Sequence, residues 1–507
     1  MHSLLWTTAF LTACAVVHAA SLNDVCTSSR VQTTLPAAGS FPGITIDPDS
    51  VVVNAVTNAA VVNQAMFPNA VFDYCNVSFA YSHDGRNDQV LLWYWLPTPE
   101  NFQRRFLSTG GGGYAINSGN GSLPGGIIYG AAAGAAAGAT DGGFGGFGTN
   151  SDVVILLANG TVIAIPCICS NFFNMSNPKL YTYYRGYSEG GRDGWSQLQR
   201  FGDLLDGAVT GAPAFRYGQQ QVQHLYSGVV EQTPDYYPPP CELQKIANET
   251  ITACDPLDGK SDGVVARTDL CQLHFNINTT IGMAYYCPAN ELGNTFPPAP
   301  PVARAERNSD SSRDGRRQCD PRWPARLPRP SRLFLLSAGG YFRGRTNGIR
   351  QYHRFLGSAA GGKIINYHGE SDDSIPTASS VRYWESVRNI MYPGQSYNES
   401  AASLNEWYRL FLVPGAAHCS PNTLQPNGPF PQTNLAVLID WVEKGTVPTT
   451  LNATYLGGEN LGQNAQICAW PLRPVWTNNG TTMECQYEQA SIDTWHYKMD
   501  TYKLPLY

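Results

Sequence analysis

Charged residues are scarce in this chain of 507 residues. Asp, Glu, Lys and Arg make up 14% of the sequence, whereas they make up about a quarter of an ordinary soluble domain. The 33 basic and 39 acidic residues leave a net charge of −6, which argues against a nucleic-acid-binding protein. Hydrophobic residues make up 43% and can build a large core, which excludes wholesale disorder. The length fits one large domain with insertions, and the composition leaves the oligomeric state open.

Long apolar runs are also lacking after the first twenty residues. No stretch there approaches the ~20 apolar residues that a membrane-spanning helix needs, so we expect no membrane anchor. The first residues contain several short apolar runs and end in Val17-His18-Ala19. This pattern predicts a signal peptide over residues 1–19. We therefore expect a secreted, extracellular protein.

Sequons and cysteines agree with secretion. Nine Asn-x-Ser/Thr sequons predict a glycoprotein; they lie at Asn76, Asn120, Asn159, Asn174, Asn248, Asn278, Asn398, Asn452 and Asn479. Of the thirteen cysteines, Cys14 would leave with the signal peptide. The twelve that remain are an even number, which is compatible with disulfide bonds.

Short apolar strands alternate with helical segments along the chain. The strands are predicted at Val90–Leu96, Phe106–Leu107, Val153–Leu157, Leu180–Tyr184, within Asp203–Pro213, Lys363–Tyr367 and Trp407–Val413. This alternation indicates an α/β fold with a mostly parallel sheet. The glycine- and alanine-rich residues 130–148 are predicted to form a flexible surface loop.

A nucleophile motif follows one of these strands. Gly186-Tyr187-Ser188-Glu189-Gly190 is a G-x-S-x-G sequence between a strand and a helix predicted over Trp195–Phe201. A nucleophile elbow requires small residues on both sides because its serine lies on a tight, strained turn. We therefore expect Ser188 to be a catalytic nucleophile, with the Glu189 amide directed at the oxyanion.

The general base and the acid are sought after Ser188, because α/β hydrolases order these groups as Ser, acid, His. His418 lies in a loop directly after an apolar strand, whereas His496 lies in a polar tail. Asp372 follows the preceding strand and is the preferred acid, with Asp373 as the alternative. Thr109 is followed by four glycines, of which Gly111 and Gly112 are placed to supply the second oxyanion amide.

Several long motifs make a family resemblance recognisable. They include YTYYRGYSEGGRDGWSQLQRF, VEQTPDYYPPPCELQKI, ACDPLDGKSDGVVARTDLC, YHGESDDSIP and VPGAAHCS. With them the chain resembles the tannase and feruloyl esterase family, and most closely its fungal tannases. The resemblance implies an α/β-hydrolase core with an inserted lid, and cleavage of galloyl or hydroxycinnamoyl esters through an acyl-enzyme. Carried over by residue, it also implies Ser188, Asp372 and His418 as the catalytic triad.

The resemblance further implies a structural calcium ion in the lid. Its ligands would be the carboxylates of Asp255, Asp258 and Asp262 and the backbone carbonyls of Lys260 and Val264, hard oxygen donors that suit Ca²⁺. Without the resemblance, an Asp/Gly-rich turn explains the segment as well as a metal site does. No organic cofactor is implied. Family-like or plausible disulfides are Cys26–Cys75, Cys254–Cys271 and Cys468–Cys485, with Cys241–Cys287 less well supported.

Three departures from the family pattern stand out. The family has a disulfide bond between a cysteine immediately before the nucleophile and a cysteine immediately after the histidine. In this chain the second cysteine is Cys419, but Tyr187 occupies the first position. Cys419 is therefore expected to be a free thiol or to pair elsewhere. Residues 161–170, which contain Cys167 and Cys169, interrupt a region where the family has a helix. The third departure is residues 297–350, which do not resemble the lid.

That segment has an unusual charge. Within it, residues 304–350 contain twelve Arg, no Lys and four acids, a local charge of +8 that leaves −14 on the rest of the chain. Such a composition predicts disorder. An out-of-frame or mis-spliced stretch is our preferred explanation, and a basic segment that binds an acidic partner is the alternative.

These observations predict a catalytic domain at 20–225 and 351–507, interrupted by an incomplete lid insertion at 226–350. The expected function is that of a secreted serine esterase that cleaves galloyl esters, with small phenolic esters or tannins as substrates. A feruloyl esterase acting on hydroxycinnamoyl esters is one alternative. A catalytically impaired secreted glycoprotein is another, because of Tyr187 and the altered lid.

Overall fold

The computed structural model describes residues 20–113, 130–141, 172–173, 175, 179–215, 217–233, 235–287, 316–318 and 361–495. The predicted signal peptide, the strand expected at 153–157, Cys167, Cys169, Cys319 and His496 lie outside the described residues. So do the sequons at Asn120, Asn159 and Asn174 and most of 297–350. In the described part of the chain, no helix is long and apolar enough to cross a membrane.

Sixteen strands are present in the described residues. They are β1 Ile44–Val61, β2 Ala70–His83, β3 Val90–Pro97, β4 Arg105–Thr109, β5 Ala135–Thr140, β6 Tyr181–Tyr187, β7 Gly207–Gly211, β8 Ala284–Tyr286, β9 Arg316–Gln318, β10 Lys363–Gly369, β11 Tyr408–Val413, β12 Pro429–Phe430, β13 Thr450–Tyr455, β14 Asn464–Cys468, β15 Arg473–Thr477 and β16 Thr482–Gln486.

The described α-helices number ten. They are α1 Leu22–Val25, α2 Ser28–Thr34, α3 Glu189–Phe201, α4 Tyr217–Gln232, α5 Pro240–Cys254, α6 Thr268–His274, α7 Thr377–Met391, α8 Tyr397–Asn405, α9 Asn434–Lys444 and α10 Gln489–Thr494. Short 3-10 helices are present at Gly202–Leu204, Asp255–Asp258 and Ile277–Thr280.

A nine-stranded sheet organises the fold, in the order β1-β2-β3-β5-β4-β6-β7-β10-β11. The pairs β1–β2, β2–β3 and β3–β5 are antiparallel. The pairs from β5 to β11 are all parallel. The carboxyl ends of the parallel strands therefore lie at one edge of the sheet, where open α/β sheets place their active sites.

Alternating residues of the central strands build one core on each face of the sheet. On one face, Val209 and Ile365 pack with Leu438 of α9. On the other face, their sequence neighbours Ala208 and Ile364 pack with Trp384 of α7 and with α3. Strands buried on both faces read as continuous apolar runs, which is why their positions are predictable from the sequence.

The expectation of a flexible loop over 130–148 is wrong for the part that the structure describes. Residues 135–140 form β5, a central strand of the sheet whose first four residues are buried. Small residues are needed there because large side chains of neighbouring strands fill the space. A Cβ added to Gly138 would lie 2.6 Å from the Tyr94 ring, and one added to Gly130 would lie 2.7 Å from the Leu107 side chain.

One further expectation needs correction. The segment expected to run as a strand from Asp203 begins as a 3-10 helix, and β7 starts only at Gly207. Helix α4 runs through the expected domain boundary between 225 and 226. Within the segment expected to be disordered, the described residues 316–318 form β9 and pair antiparallel with β8.

Four disulfide bonds cross-link the described residues. They join Cys26 to Cys75, Cys241 to Cys287, Cys254 to Cys271 and Cys468 to Cys485. These are the four pairs named from the sequence. Their partners are 49, 46, 17 and 17 residues apart in the sequence, and a longer closed loop restricts the unfolded chain more.

Candidate active site

Ser188 lies on a sharp turn between β6 and α3. Its backbone has φ 57° and ψ −118°, a conformation that non-glycine residues rarely adopt and that marks a strained position. The Ser188 amide donates to the Gly211 carbonyl at 2.9 Å, and the Ser188 carbonyl accepts from the amides of Arg192 and Ala214. These bonds hold the turn in place, so that the hydroxyl projects from the carboxyl end of β6.

Glycines on both sides of Ser188 allow the turn to close. A Cβ on Gly186 would lie 2.5 Å from the Gly190 carbonyl oxygen. A Cβ on Gly190 would lie 2.8 Å from the Gly110 carbonyl carbon and 3.0 Å from the Gly111 nitrogen. Because real Cβ atoms do not approach backbone this closely, the G-x-S-x-G pattern is a packing requirement of this elbow.

The structure brings Ser188, His418 and Asp372 together. Ser188 Oγ lies 2.8 Å from His418 Nε2, and His418 Nδ1 lies 2.8 Å from Asp372 Oδ2. Asp372 Oδ1 accepts from the amides of Ser374 and Ile375 at 2.9 and 2.7 Å. Asp373, the alternative acid in the sequence, is exposed to solvent.

Neighbouring groups shift the pKa values of Asp372 and His418 in opposite directions. Burial opposes ionisation of Asp372, but hydrogen bonds from His368 and His418 outweigh burial and hold the pKa of Asp372 well below its ordinary value. Burial also disfavours a charged His418, but the nearby Cys419 sulfur and the Asp372 carboxylate raise the pKa of His418 above its ordinary value. A carboxylate that stays ionised can stabilise the imidazolium formed when His418 accepts a proton.

Two of the expected oxyanion donors belong to segments that meet at the Ser188 turn. Glu189 is the first residue of α3, so its amide has no acceptor within the helix. Gly111 is buried, and its carbonyl accepts from the Gly190 amide at 3.0 Å. Gly112 follows it and is half-buried. The role of these three amides as oxyanion donors stays a prediction.

An aromatic pair lies under the nucleophile. Tyr187 is buried, and its ring meets the Tyr367 ring edge-on at 6.1 Å between centroids. The buried Arg185 guanidinium lies 5.2 Å from the Tyr187 ring. Cys419 is buried and is the free cysteine of the described residues, with its sulfur 3.9 Å from His418 Nε2. Tyr187 and Cys419, which is unbridged in the described residues, thus belong to the same buried core.

A buried ionic network supports the loop that carries the acid. Glu370, two residues before Asp372, pairs with Arg473 at 2.6 Å and also accepts from the Thr268 hydroxyl. Arg473 pairs with Asp269 at 3.0 Å, and Asp269 pairs with Arg267 at 2.8 Å. The network connects α6 and β15 to the acid loop. Its ion pairs are expected to persist, because a buried charge is stable only when it is paired.

A cavity opens on the His418 side of the site. Its volume is about 570 Å³, and its walls include Gln223, Thr250, Asp373, His418 and Asn422. Its lining mixes hydrogen-bonding side chains with apolar ones such as Ile246, and it does not include Ser188.

The loop expected to hold calcium is folded into two tight turns. Gly259 and Gly263 have φ values of 92° and 79°. Asp255 Oδ1 accepts from the amides of Asp262 and Val264 at 3.0 and 3.2 Å, and Lys260 Nζ lies 2.8 Å from Asp262 Oδ2. Among the described residues, no three His, Cys, Asp or Glu side chains are grouped closely enough to form a metal site.

The charges of this loop are nevertheless crowded. Burial, together with the nearby Asp262 and Asp255 carboxylates, raises the pKa of Asp258 to about 7, although the Lys260 amide opposes the shift. Carboxylates and backbone carbonyls are the types of donor that Ca²⁺ prefers, but in this structure the three carboxylates are not drawn together around a common point.

Sequence reasoning missed one residue of the site. His368 is fully buried at the end of β10, and its Nε2 lies 3.1 Å from Asp372 Oδ2. The signal was present, since His368 precedes Asp372 by four residues in the same loop motif. The sequence could not show that a strand residue turns its side chain toward that loop.

A mostly parallel sheet with the Ser188 elbow at its carboxyl edge defines an α/β hydrolase. The chain belongs to the tannase and feruloyl esterase family, whose model matches residues 75–297 and 353–491. It is therefore a carboxylic ester hydrolase.

Relatives and solved structures support this assignment. The chain is 38% identical to a tannase of Aspergillus oryzae, over 97% of this chain and 98% of the relative. It is 28% identical to a probable feruloyl esterase of Arthroderma benhamiae, over 84% and 88%. Tannin acyl hydrolase from Aspergillus niger superposes with a TM-score of 0.80 at 48% identity, covering 96% of this chain and all of that one. Feruloyl esterase B from Aspergillus oryzae shares the fold, with a TM-score of 0.59 at 22% identity over 91% of this chain and all of that one.

The comparisons also bear on the anomalous segment. Residues 298–352 lie between the two segments that the family model matches. The alignment with the Aspergillus oryzae tannase runs over 596 positions, more than the 507 residues of this chain. That relative therefore has segments with no counterpart here.

Proposed function

We propose that this protein is a secreted serine esterase that cleaves galloyl esters with Ser188, His418 and Asp372. The observation that carries the proposal is the unbroken hydrogen-bonded chain from Ser188 Oγ to His418 and on to Asp372, with 2.8 Å at each step. The choice of galloyl esters rests on the similarity to two relatives named tannase and tannin acyl hydrolase.

The first half of the reaction forms the acyl-enzyme. Ser188 Oγ attacks the ester carbonyl carbon while its proton passes to His418 Nε2. The carbonyl oxygen becomes an oxyanion, which the amides of Glu189 and Gly111 would stabilise by about 3 kcal/mol each. When the C–O bond of the ester breaks, His418 gives its proton to the departing alcohol, and the acyl group stays on Ser188.

The second half repeats this sequence with water. His418 Nε2 takes a proton from a water molecule, whose oxygen attacks the acyl carbon. The bond to Ser188 Oγ then breaks, and the proton on His418 returns to that oxygen. Asp372 keeps its charge throughout the reaction, because its Oδ1 accepts a hydrogen bond from the Ser374 amide and its Oδ2 accepts one from His418.

Hydrolysis of methyl gallate and methyl ferulate by the purified full chain tests both the mechanism and the substrate class. We expect faster hydrolysis of methyl gallate, and a loss of roughly 10⁴-fold or more in Ser188→Ala. The Ser386→Ala variant, in helix α7, is the matched control that should keep full activity. A fully active Ser188→Ala would refute the mechanism, and faster hydrolysis of the ferulate would favour the alternative below.

A feruloyl esterase is the second candidate. It is favoured by the similarity to the probable feruloyl esterase of Arthroderma benhamiae, which spans 84% of this chain. The same triad would act in the same way, and only the acyl group would differ. The third reading, an impaired glycoprotein, gains no support from the intact hydrogen-bonded chain between Ser188 and Asp372.

Calcium binding by the lid loop is a separate part of the proposal. The carboxylates of Asp255, Asp258 and Asp262 and the carbonyls of Lys260 and Val264 would hold the ion. It would supply positive charge to a crowded acidic turn and stiffen it. We expect Ca²⁺ to raise the melting temperature of chelator-treated protein and Asp258→Asn to abolish that rise. An equal rise in both proteins would refute the site.

Secretion and glycosylation complete the proposal. The sequons at Asn248, Asn278, Asn398 and Asn479 are exposed in the structure and could carry glycans without unfolding. N-terminal sequencing of the secreted protein should begin near Ala20, after the predicted signal peptide. A retained Met1 in the mature protein would contradict that prediction.

A further inference from the structure

We propose that His368 is a positioning residue of the esterase site, which holds the Asp372 carboxylate in register with His418. The inference rests on the proposed triad and deepens it. His368 lies near the end of β10, which pairs with β7, the neighbour of the nucleophile strand β6. None of its surface reaches solvent. Its imidazole is therefore held entirely by its protein neighbours.

Three contacts fix the proton on the His368 ring. Nε2 lies 2.7 Å from the Ile375 carbonyl oxygen, which can only accept, so Nε2 carries a hydrogen. The same nitrogen also lies 3.1 Å from Asp372 Oδ2, a close polar contact beside its hydrogen bond to Ile375. Nδ1 lies 2.8 Å from the hydroxyl of Ser380, which completes the hydrogen bonding of the ring.

Both carboxylate oxygens of Asp372 are therefore held by neighbours. Oδ1 accepts hydrogen bonds from two backbone amides, and Oδ2 bonds to His418 and lies 3.1 Å from His368 Nε2. The Asp372 side chain has no exposed surface, so water cannot replace a donor that is lost. Removal of His368 would take away the polar contact at 3.1 Å and leave Oδ2 held by His418 alone. Oδ2 would then be free to rotate away from the direction that aligns His418 with Ser188.

A purely structural role would give different results. If His368 only fills core volume, any loss of activity would follow loss of fold, and an apolar side chain of similar size would be tolerated. If it positions Asp372, kcat should fall while KM stays the same, because orientation of the base matters in the transition state and not in substrate binding. A donor at the position of Nε2 should then restore activity.

The experiment compares His368→Leu, His368→Gln and the exposed control His274→Gln in the full chain on methyl gallate. A glutamine amide nitrogen can reach the position of His368 Nε2, whereas leucine cannot donate. We expect His368→Leu to lower kcat by about 10- to 100-fold with KM within about twofold, from the usual range for an unsatisfied buried acceptor. His368→Gln should recover most of this loss, and His274→Gln should match the wild type.

Coupling to Asp372 separates the possible failures. In an Asp372→Asn background His368→Leu should cause no further loss, since the carboxylate that it positions is gone. The same fold loss in both backgrounds, or an unchanged kcat in His368→Leu, would overturn the positioning role and leave the triad intact. Full activity in both Ser188→Ala and Asp372→Asn would instead overturn the triad itself.

A second variant covers failure of the leucine variant to fold. Ser380→Ala removes the partner of His368 Nδ1 and leaves the ring in place. It should lower kcat by about two- to fivefold at constant KM. An unchanged kcat in folded Ser380→Ala would count against the proposal.

Discussion

Tyr187 packs edge-on against Tyr367 directly under the nucleophile, with 6.1 Å between the ring centroids. The family resemblance implies a cysteine at position 187, bridged to the residue after the catalytic histidine. Here the tyrosine is 1% exposed and belongs to the same core cluster as Cys419. Aromatic packing therefore occupies the place of a covalent link between the nucleophile strand and the histidine loop.

The first prediction concerns this replacement. Tyr187→Ser should lower the free energy of unfolding by about 3–5 kcal/mol, the usual cost of removing a large buried ring. Tyr187→Cys can form a bridge to Cys419 and recover about 2–4 kcal/mol. Because the native packing already fixes the site, Tyr187→Cys should be no more active than the wild type. Denaturant unfolding, thiol counting and ester hydrolysis check these values, and a bridged variant more active than the wild type would contradict them.

The second prediction concerns pH. His418 accepts the Ser188 proton only when neutral, so kcat/KM falls as the pH drops below the pKa of His418. The Asp372 carboxylate contributes to raising that pKa. Asp372→Asn should therefore move the acidic limb of the profile to lower pH by about one unit or more, and lower kcat by roughly 10⁴-fold.

The exposed Asp373 provides the matched control. Asp373→Asn removes the same charge one residue away and should leave the acidic limb where it is. A pH profile of kcat/KM on methyl gallate measures both variants. If the limb moves equally in the two variants, Asp372 is not the specific partner of His418.

The third prediction concerns the elbow. Gly190→Ala should abolish at least 99% of the activity, because its Cβ would collide with the Gly110–Gly111 backbone that borders the oxyanion site. Gly228→Ala, in helix α4, meets nothing within 4 Å. It should keep full activity and gain up to about 1 kcal/mol in stability from its better helix propensity. An active, well-folded Gly190→Ala would contradict this prediction, because the Gly110–Gly111 backbone would then have shifted without loss of activity.

The fourth prediction concerns the buried ionic network. Arg473→Met leaves the carboxylates of Glu370 and Asp269 without their shared cation and should cost about 3–5 kcal/mol at pH 7. Arg409→Met, on the neighbouring strand β11, bonds backbone carbonyls and no carboxylate, so it should cost less.

The cost of Arg473→Met should also depend on pH. Burial opposes ionisation of Asp269, but Arg473 and Arg267 outweigh it and lower the pKa of Asp269 below its ordinary value. Such a group stabilises the fold above about pH 4 and loses that contribution as the pH falls further. Urea unfolding at pH 7 and pH 3 should therefore show a larger difference between variant and wild type at pH 7. An equal difference at both pH values would contradict this assignment.

Ser188, Asp372, His418 and the strands that precede them could be proposed from the sequence because the signals for them lie in short, continuous segments of the chain. Each triad residue follows a buried apolar strand, and such strands are visible in the sequence. Strand β5 was mistaken for a loop because its alanines and glycines carry no hydrophobic period. Their small size is explained only by the folded structure, in which Tyr94 and Leu107 from other strands fill the space beside Gly138 and the nearby Gly130.

His368 and the Glu370–Arg473 pair were missed for a related reason. His368 and Glu370 lie in the motif that supplied Asp372, but tertiary packing determines which residues they contact. Arg473 comes from a strand about a hundred residues later, and no spacing rule connects it to Glu370. The direction in which the His368 ring points is likewise a property of the folded loop and not of its sequence.

Covalent labelling can show whether Ser188 is the nucleophile. The purified full chain is treated with a phosphonate probe for serine hydrolases, digested, and analysed by mass spectrometry beside Ser188→Ala. We expect stoichiometric modification of the Ser188 peptide in the wild type and none in the variant. Labelling of another residue, or none in an otherwise folded wild type, would contradict the assignment of Ser188 as the nucleophile.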